Sequence, residues 1–102
     1  MTLETVSNIE FSSSDGLLVV RLDGGGEPSY QHVYRVAAGI YWDNDAGAFK
    51  FNMKSDNNLV QWFAHIREVL EDEMDIRLRL DSRTTWKNVP SNIQHEIELA
   101  YG

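Results

Sequence analysis

Residues 56–73 read Asp-Asn-Asn-Leu-Val-Gln-Trp-Phe-Ala-His-Ile-Arg-Glu-Val-Leu-Glu-Asp-Glu. Leu59, Trp62, Phe63, Ile66, Val69 and Leu70 recur at the three-and-four spacing of a helix with one buried face. At about 100° per residue these six fall within roughly 120° of arc. Gln61, Glu68 and Asp72 lie opposite, and His65 sits near the boundary. Ser55, Asp56, Asn57 and Asn58 offer oxygens to cap the first N–H groups. A helix with so definite an apolar stripe needs a sheet or another helix to cover it.

The flanking residues supply that sheet. On the N-terminal side, Ile40, Tyr41 and Trp42 form a strand of β-preferring residues. Residues 43–47 (Asp-Asn-Asp-Ala-Gly) make a turn. Residues 48–53 return with Phe49, Phe51 and Met53 on one face and Lys50 and Asn52 on the other. On the C-terminal side, Met74, Ile76, Leu78 and Leu80 alternate with Asp75, Arg77 and Arg79, the pattern of a half-buried strand.

Further out, residues 3–11 hold a strand ending near Phe11. Residues 12–16 (Ser-Ser-Ser-Asp-Gly) are a turn, and residues 17–22 are a second strand, so the two pair as a hairpin. Residues 23–28 break regular structure. Residues 29–38 fit a strand or a helix. The helical pattern gathers Tyr30, Val33, Tyr34, Ala37 and Ala38 on one side, with Ser29 to cap it and Gly39 to end it; only Val36 is out of place, and we adopt it. Residues 81–88 read as a loop or short helical turn carrying Trp86. Pro90 suits the first position of a last helix with Val89, Ile93, Ile97, Ala100 and Tyr101 inward. The expected fold is α+β: one domain over residues 1–102, a largely antiparallel sheet of about five strands packed by two or three helices, in the order β-β-α-β-β-α-β-α.

Composition narrows the function. The 102 residues carry a net charge of −7 and no Cys, which removes disulfides, thiolate metal sites and Cys nucleophiles. The charge argues against nucleic acid, whose binding rests on Lys and Arg against phosphate. No apolar run reaches the roughly 20 residues of a membrane span, and the first residues lack a signal-peptide pattern. A cytoplasmic protein without a membrane partner is expected.

Motifs of catalysis and cofactor binding fail on inspection. In Asp43-Asn44-Asp45-Ala46-Gly47 the first two acids fit a calcium loop, but Gly47 comes one place early and Lys54 stands where the final Glu belongs. Gly24-Gly25-Gly26 matches no phosphate-loop motif and is flanked by Asp23 and Glu27, so it reads as a flexible loop. His32, His65 and His95 stand far apart and form no metal pair. No catalytic residue, cofactor or metal is assigned.

Two features point toward binding. Glu68, Glu71, Asp72, Glu73 and Asp75 crowd the end of the central helix, where the macrodipole disfavours negative charge. Arg77 and Arg79 neutralise part of it in a solvated end. The remainder makes an acidic patch for a basic protein partner, in the manner of an inhibitor, immunity or adaptor protein. The alternative is a small-molecule binder or small enzyme with an aromatic-lined cleft at Trp42, His65 and Trp86, Trp42 and Trp86 being placed beside loops and partly exposed. Aromatic sheet edges could also be buried in a homodimer.

Finally, Gly39-Ile40-Tyr41-Trp42-Asp43, Phe49, Trp62-Phe63, Ile66, Trp86 and Val89-Pro90 resemble an arrangement in small orphan proteins of bacterial mobile gene cassettes, the integron cassette proteins. The similarity covers about residues 30–97. It implies a compact α+β bacterial protein, often oligomeric, and carries over no functional residue.

Overall fold

A computed structural model describes residues 2–12, 16–36, 39–52 and 59–101. The elements are β1 (Thr2–Ser12), β2 (Leu17–Leu22), a 3-10 helix (Pro28–Arg35), β3 (Ile40–Asp43), β4 (Ala48–Asn52), α1 (Leu59–Met74), β5 (Ile76–Arg79), β6 (Thr85–Lys87) and α2 (Ser91–Tyr101). The α+β class and the expected order hold, with one strand added. The sheet runs β3-β4-β2-β1-β5, and β6 also pairs with β1.

The sheet is mixed. β1–β2, β2–β4 and β3–β4 are antiparallel, whereas β5 and β6 run parallel to β1. The parallel pairs follow from α1. Parallel neighbours need a crossover, and α1 carries the chain from β4 across β2 and β1 to the far side of the sheet. Leu59, Phe63, Ile66 and Leu70 are buried on the way. Each contributes about 1.5–3 kcal/mol of transfer free energy. The expected caps at residues 55–58 lie outside the described residues.

Residues 81–88 correct the expectation of a loop or helical turn. Thr85–Lys87 forms β6, in register with Asn8–Glu10. Three residues are too few to show a strand period; the waiting edge of β1 decides their conformation. β5 and β6 thus share one side of β1, interrupted by residues 80–84. Thr84 plugs that interruption. It is buried, and its Oγ1 donates to the Val6 carbonyl (2.7 Å) and accepts from the Asp81 N–H (3.0 Å). Thr84→Val keeps the shape but strands both backbone groups. It is expected to cost about 1–3 kcal/mol in urea unfolding, and Thr84→Ser less. An unchanged midpoint for the valine variant would refute this role.

The helix over residues 29–38 is also corrected in detail. It is a 3-10 helix with Pro28 in its first turn; Glu27, not Ser29, is the cap residue, and no side chain caps it. Three residues per turn align Tyr30 with Val33, which are buried, and leave Tyr34 58% exposed. α2 begins at Ser91, so Val89 and Pro90 precede it; Val89 and Ile93 are half-buried and Ile97 is buried, but Ala100 is exposed rather than inward. Met74 ends α1 instead of starting β5. Asp75 takes the left-handed conformation (φ 56°) that turns the chain.

Candidate functional site

The acidic end of α1 is built by the stripe on its other side. With Phe63, Ile66 and Leu70 fixed against the sheet, His65, Glu68 and Asp72 face solvent. The five carboxylates then separate into roles. Glu71 is half-buried and belongs to the fold. Its oxygens meet Arg77 (Nη2 2.9 Å, Nε 3.2 Å) and Arg67 one turn back (3.6 Å). Arg67 also donates to the Leu78 carbonyl (3.4 Å), so the cluster ties α1 to β5. Asp75 serves the turn, its carbonyl accepting the Thr2 N–H (2.9 Å). Glu68, Asp72 and Glu73 are exposed. Arg79, expected to share the neutralisation, makes no ion pair among the described residues; Arg67 does so instead. A shallow hollow of about 280 Å³ is lined by Ala64, Arg67, Glu68, Glu71 and Asp72.

The aromatic residues expected at a cleft are dispersed. Trp42 is 6% exposed, not partly exposed. Its ring lies 4.7 Å from Phe49 and 5.3 Å from Tyr30, and its indole N–H donates to Asn44 Oδ1 (3.3 Å). The 3-10 helix and Gly26 cover it, which its neighbours in sequence do not reveal. His65 is exposed and meets Trp62 edge-on at 5.9 Å. Trp86 is half-buried on β6. Two further hollows, of about 190 and 330 Å³, lie at Thr5–Ser7 with Asp23, Asp81 and Arg83, and at Leu80–Ser82 with Glu98. None of the three hollows includes Trp42, His65 or Trp86.

Two polar arrangements were not foreseen. The hollow at Asp81 arises from the break between β5 and β6; the short polar run Asp81-Ser82-Arg83, expected as part of a loop or helical turn, was its only trace in the sequence. Tyr30, buried on the sheet, donates its hydroxyl to Glu4. Burial, then the Glu4 carboxylate, hold the phenol well above its ordinary range, so it keeps its proton. In the β3–β4 turn, Asp43 Oδ1 accepts the N–H groups of Asp45 and Ala46 (both 3.1 Å), and Oδ2 binds Lys50 (2.8 Å). The Lys50 bond, then the Ala46 N–H, hold this carboxyl below its usual range. Asp43 is committed to a hairpin turn.

Neither a family model nor a curated protein matches the chain. A solved structure does: the integron cassette protein Hfx_Cass5, from the mobile metagenome of the North West Arm sewage outfall. It is 26% identical, over 98% of this chain and 96% of its own. The chain resembles an integron cassette protein. The two backbones superpose with a TM-score of 0.42, so no residue's role is carried across. No helix among the described residues is long and apolar enough to cross a membrane.

Proposed function

We propose that this is a small cytoplasmic interaction domain that works by binding rather than catalysis, and that the end of α1 meets a basic protein partner. One observation supports the reading above others. The cations nearest the patch, Arg67 and Arg77, are spent on Glu71, while Glu68, Asp72 and Glu73 stand exposed at a helix C-terminus. Stability alone favours Lys or Arg there. Exposed charges of one sign raise the encounter rate with an opposite surface more than they tighten the final complex.

The test is a partner co-purified with the native protein. Glu68→Lys with Asp72→Lys is expected to slow association on the order of tenfold or more. Raising ionic strength from about 0.1 M to about 1 M, which shortens the Debye length from about 10 Å to about 3 Å, should slow the unaltered protein likewise. Association indifferent to both changes would sink the reading. Glu71 is left intact because the fold uses it.

A second reading, a ligand cleft beside His65, has one observation behind it. The Trp62 indole N–H is buried with no acceptor among the described residues. A small molecule offering a carbonyl or carboxylate there would shift Trp62 fluorescence on titration, and Trp62→Phe would remove the shift. A shift that survives Trp62→Phe would arise elsewhere.

A further inference from the structure

Alternation along the strands decides which side chains face away from α1. Ile9, Val20, Phe49 and Trp42 pair across the covered side, so Glu10, Arg21, Lys50 and Asp43 belong to the other, with Arg79 and Lys87. That outer face carries four cations, Arg21, Lys50, Arg79 and Lys87, against two carboxylates, Glu10 and Asp43, a net +2 on a protein of net −7. The helical side is the reverse. On α1, its turn and α2, seven carboxylates stand with Arg67; Arg77, exposed beside Leu3 on the outer side of β5, is drawn to Glu71 and is counted with them, for a net −5. α1 and α2 bury their apolar residues in the one core cluster, on the opposite side from this face. Within the face, Arg21 is held by Glu10 (2.9 Å) and Asn8, and Lys50 by Asp43 (2.8 Å). Arg79 is exposed, and Lys87, with its side chain 67% exposed, is 4.0 Å from Glu10. Tyr41, 44% exposed, and Leu3, 58% exposed, add apolar surface.

We propose that this outer face docks the acidic helical face of a second copy of the chain, head to tail. The occupant follows from charge. Two outer faces brought together would set Arg79 and Lys87 against each other's cations, so a symmetric contact through this face is disfavoured. The helical face supplies the opposite sign on the same molecule. The inference rests on the reading of α1 as a docking end and gives that end a partner. Exposed ion pairs are weak singly and screened by salt, so the association is low in affinity and sensitive to ionic strength.

Light scattering on the purified protein tests it. At low ionic strength the weight-average mass should climb with concentration to at least twice the 11.7 kDa of one chain. It should return to one chain at about 1 M salt. Arg79→Glu with Lys87→Glu, and separately Glu68→Lys with Asp72→Lys, should each give monomers of unchanged circular dichroism. Mixing the two variants should restore association, because each supplies the charge the other lost. An unaltered protein that stays monomeric at about 1 mM, the dissociation constant of a very weak complex, overturns the inference. So does association that Arg79→Glu with Lys87→Glu leaves intact. A monomer that binds oligothymidylate through Arg79 and Lys87 overturns it too, in favour of phosphate. A monomeric protein whose foreign partner still depends on Glu68 and Asp72 loses this inference alone; self-association with no foreign partner loses only the other.

Discussion

Replacing Phe49 with Ala is expected to remove about 3–5 kcal/mol of stability, read as a lowered urea midpoint with little change in slope. The ring is fully buried on β4. It stacks on Tyr30 at 5.8 Å and tilts against Trp42 at 4.7 Å, so it joins the sheet to the 3-10 helix above it. Val20 and Trp42 flank it in register on β2 and β3. Strands held on both sides cannot collapse into the space left behind, which places the cost toward the upper part of the range for such truncations. A domain of this size has about 5–15 kcal/mol in all, so the variant loses a large part of its margin. Phe49→Leu, which keeps most of the volume, should cost less than half as much. A loss under about 1 kcal/mol for the alanine variant would show that Phe49 is not central to the core.

Gly26→Ala is the second large effect. Gly26 has φ +65°, and a Cβ there would stand 2.4 Å from Trp42 Cη2 and 2.6 Å from Cζ2. The left-handed backbone costs an alanine about 1–2 kcal/mol. Pushing back an indole already wedged against Phe49 and Tyr30 adds about 1–3 kcal/mol. Together these predict a loss of about 2–5 kcal/mol. Gly24 supplies the control. Its φ is +90°, but nothing lies within 4 Å of the added carbon, so Gly24→Ala should show the backbone cost alone. Equal losses at the two positions would mean that contact with Trp42 contributes nothing. The glycine run expected as a flexible loop is therefore, at Gly26, a packed lid on the indole.

The central helix was legible because its period is intrinsic. Leu59, Phe63, Ile66 and Leu70 mark one face whatever covers them, and that face is the buried one. The β3–β4 hairpin was legible for the same reason, through Phe49 and Phe51. What failed depended on partners distant in the chain. Thr85, Trp86 and Lys87 become a strand because β1 has an unpaired stretch for them. Trp42 is buried because Gly26 and Tyr30, a dozen or more residues earlier, close over it. Tyr34 is exposed because a 3-10 helix has a different pitch from the helix its pattern suggested.

At the candidate site, the concentration of carboxylates from Glu68 to Asp75 was visible, but their division of labour was not. Arg67 precedes Glu71 by one helical turn, a pairing that helical spacing offers. Arg77 reaches Glu71 only because Asp75 reverses the chain between them. The separation of positive sheet from negative helices needed knowledge of which strand face is covered. Composition gave only the sum.

The parallel edge of β1 sets an order of events for the nascent and refolding chain. β1 pairs with β2, which begins only five residues after β1 ends, a local closure of the kind completed in microseconds. It meets β5 through Thr2 and Ile76, residues more than seventy positions apart. Such a closure carries the larger entropy cost, and contacts of this separation slow the folding of small domains. β1 is thus translated first and completed last. Closing that seam is part of the barrier, so weakening it with Thr84→Val should slow refolding more than it speeds unfolding.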